Sequence, residues 1–166
     1  VPFLDECSED VQLFGAVNTI LIDHGRLCGY NTDGYGFSRS LILQGGLAPD
    51  SRRFVLVGLG GAARAAACEL FLQKASRIGI SSRDHRKTTD FCMDLNRLFQ
   101  QDICIPLETG SDSFRQELST ADVVVNCTPL GMKEGDPLPF NPDDCGLKTL
   151  VIDMIYNPWE TPLLKR

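Results

Sequence analysis

The segment GLGGAA at positions 58–63 joins an apolar stretch, residues 54–57, to residues 62–73, which contain no helix breaker. Gly58 allows a tight turn, Gly60 allows the backbone to approach a pyrophosphate closely, and the small Ala63 allows a helix to pack against the preceding strand. Free N–H groups at the start of that helix, together with its dipole, bind phosphate oxygens. The turn therefore predicts dinucleotide binding. The alternative is a glycine-rich turn that only tightens the connection between a strand and a helix.

A charged segment, SRDHRK at positions 82–87, follows the next predicted strand. In dinucleotide-binding folds the tip of this strand, about 20 residues after the glycines, contacts the adenosine ribose. An arginine there pairs with the 2′-phosphate of NADP, whereas an acidic residue accepts a hydrogen bond from the 2′-OH of NAD. Arg83, Arg86 and Lys87 favour NADP, and Asp84 leaves NAD as the alternative. A solvated helix start has the same composition.

Asp33, in the sequence NTDG at positions 31–34, is a candidate for proton transfer. A carboxylate keeps a neighbouring ammonium group charged and orients it as a proton donor. The local sequence by itself favours a simpler role as a helix N-cap, since Asp is preferred there. Asn18 either faces a ligand or closes a turn. Tyr156 is either a core aromatic or a ligand-facing residue, because it follows an apolar strand and ligands collect at strand ends in open α/β sheets.

The elements that position these residues alternate between strand and helix from residue 54 onwards. Apolar and β-branched runs predict strands at 54–57, 77–81, 103–107, 123–127 and 147–153, and helical periodicity predicts helices at 62–73, 86–100 and around 114–118. Earlier segments predict strands at 16–22 and 26–29, a helix through Phe37, Leu41 and Ile42, and a linker at 47–53. This alternation predicts an α/β fold with a parallel sheet covered by helices on both faces.

Composition restricts the partners. A formal net charge of −6 argues against a general nucleic-acid binder. No run approaches the ~18 apolar residues of a membrane helix, and no secretion signal is recognisable. Seven cysteines without a CxxC pair predict reduced, buried thiols rather than a metal site or disulfides, and therefore a cytoplasmic protein. Neither histidine has a Ser or Cys partner in a catalytic pattern, so we assign them no role.

Five motifs occur in the order found in the shikimate and quinate dehydrogenases: GAVNT at 15–19, GYNTDG at 29–34, the glycine turn, NCTPLGM at 126–132 and YNPWETPL at 156–163. The chain resembles that family over essentially its whole length. The resemblance implies an oxidoreductase that reversibly reduces 3-dehydroshikimate to shikimate with NADP, in aromatic amino-acid biosynthesis. The alternatives are a quinate/shikimate dehydrogenase that uses NAD, and a non-catalytic nucleotide- or substrate-binding domain. A small-molecule substrate and a monomer or homodimer are expected.

The resemblance also implies roles for individual residues. Asp33 corresponds to the catalytic carboxylate, which works with a lysine; Asn18, Thr32 and Asp33 contact substrate hydroxyls, and Tyr156 contacts substrate from the other wall. The implied cofactor-binding residues are Gly58, Leu59, Gly60, Gly61 and Ala62 at the pyrophosphate, Ser82, Arg83, Arg86 and Lys87 at the adenosine ribose, and Thr128, Pro129, Leu130 and Met154 at the nicotinamide.

The family's lysine lies in a VT-[IM]-P-x-K segment that precedes a stretch like residues 1–6. We therefore expect the partner lysine upstream of this chain, and the chain to be inactive alone. Residues 1–46 are expected to be a remnant of a smaller α/β substrate-binding domain with its connecting helix. Residues 53–166 are expected to form a Rossmann-like NAD(P)-binding domain, incomplete at its C-terminus.

Overall fold

The computed structural model describes residues 2–166. In chain order its elements are β1 (Glu6–Cys7), α1 (Glu9–Phe14), β2 (Thr19–Asp23), β3 (Arg26–Tyr30), α2 (Asp33–Leu43), β4 (Arg53–Val57), α3 (Gly61–Leu72), β5 (Arg77–Ser82), α4 (His85–Phe99), β6 (Cys104–Glu108), α5 (Asp112–Thr120), β7 (Val123–Asn126), a 3₁₀ turn (Pro142–Asp144), β8 (Leu150–Asp153) and α6 (Pro162–Lys165). They form a three-stranded sheet, β1-β3-β2, and a five-stranded sheet, β6-β5-β4-β7-β8.

The five-stranded sheet is parallel throughout and is covered on both faces. Successive residues of β4 point to opposite faces, as the strand geometry requires. Phe54 and Leu56 belong to a cluster with α2, α3 and α4, whereas Val55 and Val57 belong to a cluster with α5 and α6. The predicted doubly covered parallel sheet is therefore confirmed.

Helix α3 is central because its alanines allow close packing. Ala63, Ala65, Ala66 and Ala67 are fully buried. On the outer side of α3 lie α1 and α2, and a Cβ placed on Gly34 of α2 would come within 3.2 Å of the Ala65 carbonyl oxygen. Phe14 and Phe37 consequently share one apolar core with the sheet.

The amino-terminal sheet is small and exposed. Strand β3 pairs in parallel with β1 and in antiparallel with β2. All five side chains of β2 are exposed. Neither β1 nor α1 was predicted, because a two-residue strand and a six-residue helix are too short to produce a periodic pattern.

At two strands the observed start lies three residues after the predicted one. Strand β2 begins at Thr19 rather than at residue 16, because Asn18 turns its side chain toward the start of α2. Strand β8 begins at Leu150 rather than at residue 147, because Leu147 is fully exposed and the Thr149 N–H closes a turn onto the Gly146 carbonyl. None of the helices in residues 2–166 combines the length and apolarity needed to span a bilayer.

Candidate functional site

In the turn between β4 and α3, the fold requires a glycine at position 58 but would accommodate a side chain at position 60. Gly58 has φ 120°, and a Cβ there would lie 2.8 Å from the carbonyl oxygen of Cys127. Gly60 has φ −81° and ψ −172°, and a Cβ there would meet no protein atom within 4 Å. Gly60 is the N-cap of α3 and no side chain caps this helix. The first N–H groups of α3 are therefore available to a ligand.

The order of the strands places this turn at a crevice. Strand β4 lies between β5 and β7, so the chain crosses from one half of the sheet to the other beside β4. Ligands of open α/β sheets bind at such a switch point, outside the carboxyl ends of the strands. A cleft of about 370 Å³ is found there, lined by Gly60, Gly61, Ala62, Cys127, Thr128, Pro129, Met132, Met154, Ile155, Tyr156 and Asn157.

The residues predicted to contact the adenosine ribose lie at the end of β5 and just after it. Within the described part of the chain, two of them have no side-chain ion pair, and the other two have side-chain partners. Arg83 and Arg86 are exposed, and neither has an ion-pair partner within residues 2–166. Ser82 is bonded to the hydroxyl of Thr88 at 2.7 Å. Lys87 pairs with Asp84, its Nζ 3.5 Å from a carboxylate oxygen.

Asp84 is committed to helix α4. Its side chain is the N-cap and accepts a hydrogen bond of 3.1 Å from the Lys87 N–H. That bond, with the Lys87 ammonium, lowers the pKa of Asp84 from its usual value. One oxygen of the Asp84 carboxylate is therefore held in the cap and the other faces the Lys87 ammonium. The guanidinium groups of Arg83 and Arg86, unpaired within residues 2–166, are the donors that a 2′-phosphate needs.

On the other side of the crevice, two loops follow β7 and β8. Thr128 and Leu130 are held by Asn126, whose Oδ1 accepts from the Thr128 N–H at 3.0 Å and whose Nδ2 donates to the Leu130 carbonyl at 3.2 Å. The Cys127 thiol contacts the Met154 sulfur at 3.5 Å, and burial raises the pKa of this thiol to about 12. Pro129 is exposed. These residues form an apolar wall with polar groups at its edges.

Asn18, Thr32 and Asp33 form a compact polar cluster. The Asn18 Nδ2 donates to Asp33 Oδ1 at 2.6 Å and to Thr32 Oγ1 at 3.1 Å, while its Oδ1 accepts from the Thr32 N–H at 3.1 Å. The N-cap role, the alternative that the local sequence favoured for Asp33, is not observed: Thr32 is the N-cap of α2, and Asp33 is the first helical residue. Because Asp33 lies one position too late to cap, its carboxylate is free to bond Asn18.

Tyr156 lies in the wall of the cleft, and its side chain is 89% exposed. Within residues 2–166 it shares no hydrogen bond with the Asn18 cluster. No lysine or arginine of these residues lies within ion-pair distance of Asp33. The structure thus brings together three of the four predicted substrate residues.

No family model matches the chain. Curated relatives do: the NADP(+) shikimate dehydrogenase of Desulforamulus reducens is 38% identical over 168 residues, covering 100% of this chain, and that of Symbiobacterium thermophilum is 40% identical over 169 residues, covering 98%. A crystal structure of shikimate dehydrogenase in complex with NADP+ superposes with a TM-score of 0.86 at 34% identity, covering 99% of this chain and 56% of the other. Over its whole length the chain is similar to shikimate dehydrogenases.

Quinate dehydrogenase from Corynebacterium glutamicum in complex with NAD superposes equally well, with a TM-score of 0.86 at 31% identity, covering 99% of this chain and 58% of the other. The chain spans about 57% of the length of the D. reducens relative and 56% of the S. thermophilum relative. The similarity therefore extends over the whole of this chain but over only part of each relative.

Three further residues of this shikimate dehydrogenase homologue were missed by sequence reasoning. Asn126 and Asp153 were given no role, although each directly ends an apolar strand, the signal that drew attention to Tyr156. Thr161 is fully buried and bonds to Asp153 at 2.7 Å. Its spacing of eight residues from Asp153 is not a recognisable pattern.

Proposed function

We propose that this chain is the cofactor-binding part of an NADP-dependent shikimate dehydrogenase, which reversibly reduces 3-dehydroshikimate to shikimate. The observation that carries the proposal is the open glycine turn at the strand-order switch: Gly60 faces empty space at the start of α3, beside the cleft between β4 and β7. Backbone N–H groups and a helix dipole converge there on one anion. The position suits a pyrophosphate.

NADP is the proposed cofactor because of the charges at the end of β5. Arg83 and Arg86 are exposed and unpaired within the described residues, whereas Asp84 is held as a helix cap. A dinucleotide across the crevice would place its adenosine over β5 and its nicotinamide over β7 and β8. Thr128, Pro129, Leu130 and Met154 then surround the nicotinamide, which supplies or accepts the hydride when bound.

Asp33 is proposed to serve the proton transfer that accompanies the hydride. Its carboxylate is oriented by Asn18 at 2.6 Å and lies, half-buried, at the start of α2. A carboxylate in that position stabilises the charged form of a lysine and orients it toward the alkoxide. We propose that this lysine comes from outside residues 1–166. Asn18, Thr32 and Tyr156 are proposed to bind substrate hydroxyls.

Quinate is the second candidate substrate, because the quinate dehydrogenase of C. glutamicum has the same TM-score as the shikimate enzyme. A non-catalytic nucleotide- or substrate-binding domain is the other alternative; the Asn18–Asp33 geometry, which orients a half-buried carboxylate, supports the enzyme. The cytoplasm is proposed as the compartment, from the seven reduced cysteines.

The test is a pair of titrations with NADPH and NADH. Arg83→Ala should weaken NADPH binding by about 1–3 kcal/mol, as expected for a charge-assisted hydrogen bond, and leave NADH binding nearly unchanged. Arg97→Ala is the matched control, because Arg97 is also an exposed arginine but lies in the last turn of α4, at the other end of that helix. Equal losses for both cofactors would refute the role of Arg83, and no binding of either would refute the proposed function.

A further inference from the structure

The carboxyl ends of β7 and β8 are joined by a half-buried amide–carboxylate contact. Asn126 and Asp153 are register partners, and Asn126 Nδ2 donates to Asp153 Oδ1 at 3.0 Å. Asn126 is fully buried, and all its hydrogen-bonding capacity is used: Nδ2 also donates to the Leu130 carbonyl, and Oδ1 accepts from the N–H and the hydroxyl of Thr128. Asn126 therefore fixes the loop that follows β7.

Asp153 links this loop to the next one. Its Oδ1 also accepts from the Ile155 N–H at 3.1 Å, and its Oδ2 accepts from the Thr161 hydroxyl at 2.7 Å. Thr161 is fully buried and caps α6 through the Leu164 N–H at 3.4 Å. A Cβ on Gly131 would lie 3.4 Å from the Thr161 Cβ, so the first loop packs against the Thr161 side chain of the second.

The two loops expose much of their apolar surface near the cleft. Tyr156 and Trp159 are 89% and 91% exposed, and Met132 is 55% exposed. Apolar anchors lie at the starts of the loops, where Cys127 and Met154 pack against the core, and further along the chain, where Phe140 and Leu163 are buried. Between these anchors, hydrogen bonds to the side chains of Asn126 and Asp153 fix the course of the backbone.

We infer that Asn126, Asp153 and Thr161 form a positioning triad, which holds both loops of the cleft wall in the conformation that receives the nicotinamide half of the cofactor. None of the three is among the residues that line the cleft, so the triad acts through Thr128, Met154 and their neighbours. This inference rests on the proposed function. Binding of the adenosine half should not depend on the triad, because the glycine turn and the end of β5 bind that half.

The test compares two ligands on two variants of the whole chain. Thr161→Val keeps the shape of the side chain but removes the hydroxyl that Asp153 Oδ2 needs, and Thr161→Ser keeps the hydroxyl. Adenosine 2′,5′-bisphosphate probes the adenosine half alone, and NADPH probes both halves. We expect Thr161→Val to raise the Kd for NADPH by about tenfold and to reduce the change in nicotinamide fluorescence on binding. The Kd for the bisphosphate should stay within about twofold of the unsubstituted chain, and Thr161→Ser should restore NADPH binding.

Each other outcome overturns the triad, and one of them also overturns the proposed function. If the unsubstituted chain binds neither ligand, the proposed function fails and the triad with it. If it binds both and Thr161→Val binds NADPH equally well, the triad alone is refuted. If Thr161→Val loses both ligands together, or unfolds as judged by circular dichroism, the hydroxyl maintains the domain as a whole and the inference is again overturned.

Discussion

Substitution of Gly60 should change cofactor affinity without changing the stability of the fold. Its backbone, at φ −81° and ψ −172°, is one that alanine adopts freely, and a Cβ there meets no protein atom within 4 Å. Alanine lowers the entropy of the unfolded chain but is a poorer N-cap than glycine; each effect is worth about 0.5–1 kcal/mol, and they oppose one another. We therefore expect Gly60→Ala to leave the free energy of unfolding nearly unchanged.

Binding of NADPH should respond very differently. A methyl group on Gly60 occupies the space through which the pyrophosphate approaches the first N–H groups of α3. Losing one charge-assisted hydrogen bond costs about 1.5–3 kcal/mol, so the Kd for NADPH should rise by about 10- to 100-fold. Titration calorimetry for binding and urea denaturation for stability measure the two quantities on the same sample.

Two other glycines are the controls. Gly36 in α2 also faces open space, and Gly36→Ala should stabilise the chain by about 0.5–1 kcal/mol without changing the Kd. Gly58→Ala should destabilise the chain by at least about 1–3 kcal/mol, because its φ of 120° is strained for alanine and the Cys127 carbonyl lies in the way. If Gly60→Ala binds NADPH like the unsubstituted chain, the pyrophosphate does not bind at this turn and the reasoning fails.

In an enzyme that includes this chain, Asp33→Asn should retain the Asn18 contact yet lower turnover by about 10²- to 10⁴-fold, the usual contribution of proton-transfer groups, with little change in cofactor affinity; unchanged turnover would leave Asp33 a structural role. The 166-residue chain alone should bind NADPH weakly and show no NADP reduction with saturating shikimate, because catalysis needs groups from both walls of a cleft; robust turnover would contradict this. The Cys127 thiol, with a pKa of about 12 caused by burial, should resist iodoacetamide at pH 8 until the chain is denatured; rapid labelling of the folded chain would show the thiol to be accessible.

The sequence by itself determined the features that depend on neighbouring residues. The glycine turn, the alternation of strands and helices, and the polar residues after apolar strands all follow from local patterns, and the structure confirms the parallel sheet that they predict. The charged segment after β5 is also visible in the sequence, but the different roles of its residues are not. The cap geometry of α4 shows that the Asp84 side chain accepts a backbone hydrogen bond, whereas Arg83 has no ion-pair partner within residues 2–166.

The tertiary structure alone decided how distant segments meet. The Asn18–Asp33 contact spans 15 residues, and the Asn126–Asp153 contact spans 27. Hydrogen bonds of that kind depend on strand order and register, which local propensity does not encode. The placement of β7 beside β4 creates both the cleft and the contact of Cys127 with Gly58. The sequence therefore indicated the chemistry of the cofactor site, and the packing of the sheet decided which residues hold that site in place.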